Sequence, residues 1–198
     1  MTNENVRNSI LYSAQKLFQE KGLGKITMED LASSIGKGKS SLYYYFKSKE
    51  EIFSAVLDME LDEIIMETIR QLNQCNTFLE KLETFGKIKY DMTRKRKTLY
   101  ATMERFNLPE EIQQYNLIKK SAHTKYIQKE KIVLLQIFVD AIAQNMIREM
   151  DNEMLDTTIM IFLCALRGIN REVHLHRQPY DAMRMIHVQC EIFYRGIS

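Results

Sequence analysis

The chain has 198 residues, of which 45% are hydrophobic and 27% charged, and its formal net charge is +2. This size and balance are typical of a globular protein with one large domain or two small ones, and they exclude a disordered chain. Only 7 residues are glycine and 2 are proline. Because both helix-breaking residues are scarce, collagen-like, low-complexity and turn-rich all-β structures are disfavoured.

The longest unbroken apolar run, residues 159–166, is far shorter than the roughly 20 residues that a membrane-spanning helix needs. Residues 1–7 are polar and lead into an amphipathic segment, so we expect neither a membrane span nor a secretory signal. Cys75, Cys164 and Cys190 are widely spaced and show no paired pattern. We therefore expect free thiols without a redox or metal role.

The first two helices are predicted from local sequence patterns with clear ends. Apolar residues recur at helical spacing over residues 10–18, and Gly22 can adopt the left-handed cap that ends such a helix. Thr27, with Asp30 three positions later, forms a capping-box variant that opens a second helix. Gly36 ends this second helix after barely two turns.

A third helix is predicted from about Lys39 to Phe46, separated from the second by only a glycine-containing turn. Two short helices joined by such a turn are typical of a helix-turn-helix motif. A second capping box, Ser48 with Glu51, then opens a long fourth helix that we expect to reach about Gln74.

Further start signals follow along the remaining chain. Thr77 with Glu80 forms another capping box, Pro109 precedes two acidic residues, and Asp151 precedes a broad apolar stripe. We expect the last helix to open at Pro179. No segment shows sustained strand alternation, so the sequence predicts an all-α protein with about nine helices.

The basic residues are unevenly distributed near the helix-turn-helix. Residues 31–49 contain four lysines and no acidic residue. Such a cluster attracts a polyanion, but a solvated lysine-rich surface is the alternative that charge alone leaves open.

A helical wheel separates two faces of the third helix. Leu42 and Phe46 share one face, which we expect to pack on the first two helices. Ser40, Ser41, Tyr43, Tyr44 and Lys47 occupy the other side or its flank. Small hydroxyls, phenols and a lysine can contact phosphate oxygens and base edges in the major groove.

Three positions have two readings. Tyr45 lies closer to the apolar side than Tyr43 and Tyr44, so we expect it to belong mainly to the core. Thr27 acts as a helix cap alone or also contacts a phosphate. Lys49, in the first turn of the fourth helix, opposes the helix dipole, which a phosphate partner would explain.

The N-terminal third resembles the DNA-binding domain of TetR-type transcriptional regulators over about residues 4–64. The resemblance depends on many residues in matching order and spacing. They are Ala14, Leu17, Phe18, Glu20, Lys21 and Gly22, the segment 26–32, Ile35 and Gly36, Lys39, the segment 41–46, and the segment 48–52.

The resemblance implies a TetR-like fold with a three-helix DNA-binding domain over residues 1–50, its helix-turn-helix at about 27–46. Residues 51–198 would form a helical domain for effector binding and dimerisation. It implies a cytoplasmic, nucleoid-associated homodimer that represses by binding a palindromic double-stranded operator until a small-molecule effector enters. The expected base-reading residues are Lys39, Ser40, Ser41 and Tyr44, and the expected phosphate contacts are Thr27, Tyr43, Lys47 and Lys49.

In this family the last two long helices form the dimer interface. The apolar stripes of the two C-terminal helices are similar to that arrangement, and the alternative is that they form only the chain's own core. The expected interface residues are Leu155, Ile159, Phe162, Leu166, Met183, Ile186, Cys190 and Phe193.

Four residues depart from the family pattern. These departures affect which operator sequence is expected, and they leave the expected DNA-binding role unchanged. Lys37 and Gly38 replace a small apolar residue and a serine that are frequent there, Ser40 replaces a frequent glycine, and Tyr45 replaces a frequent histidine.

The C-terminal two thirds give weaker signals. The methionines, including Met92, Met103, Met146, Met150, Met154 and Met160, either fill the core or line an adaptable pocket. The basic segments 87–89 and 94–97 are read as a solvated face, with an anionic ligand or secondary DNA contact as the alternative.

His174, His176, His187 and Cys190 lack a metal-ligand spacing, and the sequence contains no phosphate loop or nucleophile motif. We therefore expect no metal, no cofactor and no enzymatic activity. The competing functions are a helical enzyme or small-molecule carrier that keeps the helix-turn-helix as a scaffold, and a protein-interaction module that uses residues 43–45.

Overall fold

The computed structural model describes residues 3–95, 109–176 and 179–198. These residues contain eight helices and no strand, which confirms the all-α prediction and is close to the predicted helix number. The helices are α1 (Asn3–Lys21), α2 (Met28–Ser34), α3 (Lys39–Tyr45), α4 (Lys49–Leu72), α5 (Phe78–Lys95), α6 (Pro109–Ala143), α7 (Asn152–Asn170) and α8 (Ala182–Ile197).

The predicted capping residues explain where several helices begin. The Thr77 hydroxyl accepts the Glu80 N–H (3.2 Å) at the start of α5, and the Asp151 carboxylate accepts the Met154 N–H (2.7 Å) at the start of α7. Each bond satisfies a backbone donor that has no partner inside the helix. Pro109 is the first residue of α6, as its missing N–H allows.

The predicted start of the last helix at Pro179 is wrong. Helix α8 begins at Ala182, and its N-cap is Asp181, whose carboxylate accepts the N–H groups of Met183 (2.9 Å) and Arg184 (3.2 Å). The aspartate cap satisfies these two donors, so the helix begins three residues after the proline.

The described residues form two compact units. The N-terminal unit contains residues 3–63 and 109–126, and the C-terminal unit contains the described residues of 64–95 and 127–198. Helices α4 and α6 contribute to both units. These units are defined by compactness, whereas the boundary at residue 50 is predicted from function. That functional boundary stays a prediction.

The N-terminal unit has an aromatic core that joins α1 to α4. Phe18 and Phe53 are fully buried and meet edge to face, with ring centroids 5.2 Å apart. Tyr115, from the first part of α6, lies 6.1 Å from the Phe53 ring. At the surface of this unit, the Lys125 ammonium is 2.6 Å from the Asp58 carboxylate. These contacts hold α1, α4 and the first part of α6 together, in the unit that also contains α2 and α3.

The C-terminal unit buries the inner stripe of α7 and α8 in its own core. Six residues expected at a dimer interface belong to this core: Leu155, Ile159, Phe162, Leu166, Ile186 and Cys190. A side chain that exposes almost no surface has no area left for a second chain. For these six the structure supports the alternative reading, whereas Met183 remains exposed and Phe193 half-buried.

The basic segment 87–89 is not a uniformly solvated face. Lys87 is exposed, but Lys89 is buried and forms an ion pair with Glu130. Met146, Met150 and Met160 pack against the C-terminal core, as core filling predicts.

Met103, Arg96 and Lys97 lie outside the described residues, as does the side chain of His174. Within the described part of the chain, no three histidine, cysteine or acidic side chains are grouped so that they could hold a metal ion. No helix among the described residues has both the length and the apolar character needed to cross a membrane.

Candidate nucleic-acid interface

A tight turn fixes α3 against α2. The backbone at Gly36 has a φ of 64°, a conformation that residues with a Cβ rarely adopt. Its N–H donates to the Ser33 carbonyl (3.1 Å), while the Lys37 N–H donates to the Ala32 carbonyl (3.0 Å). These two bonds form a Schellman motif, which ends α2 and redirects the chain into α3.

The inner face of α3 anchors the helix to the N-terminal unit. Leu42 is completely buried and Phe46, at the end of the helix, is buried beside it. The Arg7 guanidinium lies 5.2 Å from the centre of the Phe46 ring. The helical wheel therefore placed the packing face correctly.

The outer face of α3 is open to solvent. Tyr44 is 74% exposed and Tyr43 is 45% exposed, and Ser40 is exposed as well. Ser41 is only half-buried. Tyr45, which we expected mainly in the core, is also half-buried and packs edge to face against Tyr44 at 5.0 Å. The surface thus presents hydroxyl and phenol groups that can reach base edges or phosphates.

Lys39, at the start of α3, has an acidic partner that the sequence analysis did not identify. Its ammonium forms an ion pair with the Glu29 carboxylate on α2 and lies 5.8 Å from the centre of the Tyr43 ring. The hydrogen bond from Lys39 lowers the pKa of Glu29, and the same bond raises the pKa of Lys39. Both groups therefore stay charged at neutral pH.

Thr27 acts as the N-cap of α2 through a complete capping box. Its hydroxyl accepts the Asp30 N–H (3.2 Å) and donates to the Asp30 carboxylate (2.7 Å), which also accepts the Thr27 N–H (2.9 Å). The hydroxyl and backbone donors that could contact a phosphate are thus both used by Asp30. The structure shows the capping role, and the phosphate contact stays a prediction.

Lys47 precedes α4 and Lys49 is its first residue, and the two lysines differ in their surroundings. Lys49 is half-buried, and its ammonium donates to the Leu23 carbonyl (3.2 Å). The Lys47 side chain is exposed, while its backbone N–H donates to the Glu51 carboxylate (2.6 Å). The Lys49 ammonium still has two donors for an anion, because an ammonium carries three.

Sequence reasoning missed both intramolecular partners, Glu29 and the Leu23 carbonyl. The sequence does show an acidic residue near Lys39: Glu29 directly precedes the capping residue Asp30 and lies ten residues before Lys39. No sequence pattern indicates the Leu23 carbonyl, because backbone acceptors are present at every residue.

Two short helices joined by a tight turn, with one face anchored and the other polar and exposed, define a helix-turn-helix protein. Residues 10–56 match the family model described as bacterial regulatory proteins, tetR family. Over these residues the chain is similar to the DNA-binding domain of the TetR family.

Two curated relatives are similar to part of the chain. The HTH-type transcriptional repressor KstR2 of Mycolicibacterium smegmatis is 37% identical over 76 residues, which are 38% of this chain and 37% of KstR2. The biofilm operon icaADBC HTH-type negative transcriptional regulator IcaR of Staphylococcus aureus is 29% identical over 107 residues, 54% of this chain and 56% of IcaR. The matches thus span roughly a third to just over half of these relatives' length.

Solved structures share the fold over 96% of the chain. A transcriptional regulator from Cytophaga hutchinsonii superposes with a TM-score of 0.67 at 24% identity, covering 96% of this chain and 97% of that one. The transcriptional regulator FadR from Bacillus subtilis, solved in complex with stearoyl-CoA, gives a TM-score of 0.61 at 19% identity, covering 96% and 99%. At these identities the likeness establishes the fold alone.

Proposed function

We propose that the protein is a ligand-responsive transcriptional repressor that binds a palindromic DNA operator as a homodimer. The observation that carries the proposal is the orientation of α3. Leu42 and Phe46 hold this helix in the N-terminal unit, while Ser40 and Tyr44 project from it into solvent. The names of KstR2 and IcaR, a repressor and a negative regulator, support repression as the outcome.

The proposed contacts divide by chemistry. Lys39, Ser40, Ser41 and Tyr44 would contact base edges in the major groove, where side-chain donors distinguish all four base pairs. Tyr43, Lys47 and Lys49 would contact phosphates and fix the register. Thr27 would cap α2 through its capping box and, in addition, contact a phosphate.

The proposed dimer uses the outer surface of the two C-terminal helices. On α7 five of the exposed positions recur at alternating spacings of three and four residues, as in a helix-packing seam: Met154, Thr157, Ile161, Cys164 and Gly168. On α8, Val188 and Ile192 are exposed, and Ile192 lines an open groove of about 740 Å³ together with Ala165 of α7. We propose that a second copy of this chain covers the groove.

The dimer can be tested with a matched pair of variants. Ile192 on α8 and Ile132 on α6 are both 68% exposed isoleucines of the C-terminal unit. We expect Ile192→Glu to shift the sedimentation equilibrium from dimer to monomer and Ile132→Glu to leave it unchanged. Equal effects of both variants, or a wild-type chain that remains monomeric at high concentration, would contradict the proposed interface.

The proposed effector is a small molecule bound by the C-terminal unit. Support comes from the shared fold of FadR, whose structure was solved with stearoyl-CoA. Thermal unfolding of the purified chain with and without stearoyl-CoA is a first test of acyl-thioester ligands. A ligand that binds only the folded chain raises its unfolding temperature.

DNA binding is tested with a duplex taken from the region preceding the protein's own coding sequence, against a scrambled duplex of equal length. We expect a specific complex whose affinity falls by about 0.9 log units per contacted phosphate for each decade of salt. Absence of a specific complex at moderate salt would contradict the proposal. If the chain instead binds another protein, and salt does not weaken that binding, the result would favour a protein-interaction module that uses residues 43–45.

Two substitutions separate the residue roles. Tyr44→Ala should relax the preference at one or two base pairs, whereas Tyr12→Ala, which removes a tyrosine that is 52% exposed on α1, should not. Lys47→Ala should weaken binding to all sequences and lower the salt slope by about one. Lys16→Ala, which removes an exposed lysine on α1, is the control for this change.

A further inference from the structure

An acidic side chain lies within the basic surface of the helix-turn-helix. Glu29, the second residue of α2, pairs with Lys39, the first residue of α3. The two side chains are 58% and 48% exposed, so both are open to an approaching duplex. The pair connects the two helices across the turn.

The pairing changes the charge that this surface presents to DNA. Residues 31–49 contain four lysines and no acid, and Glu29 lies just outside this segment. Because Glu29 and Lys39 are both charged, their contributions cancel within one ion pair. Lys39 must leave the carboxylate, or share its ammonium, before it can neutralise a phosphate.

The neighbouring acid has a different role. The Asp30 carboxylate accepts the N–H and the hydroxyl of Thr27 within the capping box of α2. Glu29 differs from Asp30, since its carboxylate also pairs with a cation on the next helix, Lys39. One acid stabilises α2, and the other acts on the DNA-facing surface.

We propose that Glu29 is a positioning residue that raises sequence specificity by restraining Lys39. This inference rests on the proposed DNA-binding function. Non-specific binding depends on phosphate neutralisation, and the carboxylate removes one lysine from that process. An ammonium has three donors, so Lys39 can keep its bond to Glu29 and still donate to the O6 and N7 atoms of a guanine. The ion pair thus weakens random contacts and preserves a directed one.

The test compares affinities for the upstream duplex and for a scrambled duplex of equal length across a salt series. We expect Glu29→Gln to bind the scrambled duplex several-fold more tightly than the wild type and to increase the salt slope by about one. The ratio of specific to non-specific affinity should fall. Glu153→Gln, an equal charge change at an exposed residue of α7, is expected to change none of these quantities.

A double-mutant cycle with Lys39→Met isolates the pair. In the Lys39→Met background, Glu29→Gln should have no further effect on scrambled DNA. An unchanged slope and affinity for Glu29→Gln overturns the inference, and so does an effect that persists without Lys39. A wild-type chain that binds neither duplex shows instead that the proposed function has failed. Circular dichroism of each variant verifies that the helices are retained.

Discussion

Lys89 on α5 and Glu130 on α6 form an ion pair inside the C-terminal unit, where their side chains are only 5% and 2% exposed. The second carboxylate oxygen of Glu130, Oε2, is also buried and accepts no hydrogen bond from the described residues. Charges withdrawn from water are tolerated when they face an opposite charge, because the loss of hydration is then offset. The pair consequently links α5 to α6 inside this unit.

Removing one side of this pair should destabilise the chain more than removing both. We expect Glu130→Gln to lower the free energy of unfolding by up to about 3–5 kcal/mol, because the buried ammonium loses the opposing charge. The double variant Lys89→Met, Glu130→Leu should recover much of this loss. Urea unfolding followed by circular dichroism provides both values. A single variant as stable as the wild type would show that the pair contributes little.

A side chain at Gly86 should destabilise the chain, because α5 approaches α7 and α8 closely there. A Cβ at this position would lie 2.7 Å from Ile186 Cγ2 and 3.1 Å from a Leu166 methyl. We expect Gly86→Ala to destabilise the chain by about 1–3 kcal/mol through overpacking. In Gly196→Ala nothing lies within 4 Å of the new Cβ, so stability should be retained. Thermal unfolding distinguishes the two, and similar stabilities would contradict the packing described here.

The three thiols should react in a fixed order. Cys164 is exposed, Cys75 is half-buried, and burial, with a smaller contribution from Glu83, raises the pKa of Cys190 to about 12. Since the thiolate is the reactive form, a disulfide reagent at pH 8 should modify Cys164 first and Cys190 only after unfolding. Cys164→Ser should abolish the fast phase. If the proposed dimer forms, that phase should slow as protein concentration rises. Rapid native-state labelling of Cys190 is the result that would contradict its burial.

Acid should weaken the cap of α2. Hydrogen bonds from Thr27 lower the pKa of Asp30 from its ordinary value of 3.8. A carboxyl with a lowered folded-state pKa stabilises the fold above its ordinary pKa, and this contribution is lost as pH falls through the folded-state value. We expect Asp30→Ala to reduce stability at pH 7 and to match the wild type more closely as pH falls below about 4. A difference that is independent of pH would mean that the charge of Asp30 is unimportant.

Local signals in the sequence were sufficient for the helix-turn-helix. The Thr27 and Asp30 capping box and the turn at Gly36 act over a few residues, so their positions along the chain determine their geometry. In the same way, the spacing of Leu42 and Phe46 defined the buried face of a seven-residue helix. The DNA-contacting roles of the opposite face stay predictions.

Only the tertiary structure decided what each broad apolar face contacts. Helix α7 has apolar residues on both sides, so its sequence could not show that Ile159 packs inward while Ile161 remains exposed. The burial of Lys89 and the pairing of Glu29 with Lys39 likewise depend on residues from other helices. Periodicity identifies side chains that share a face, but the partner of that face is determined by long-range packing.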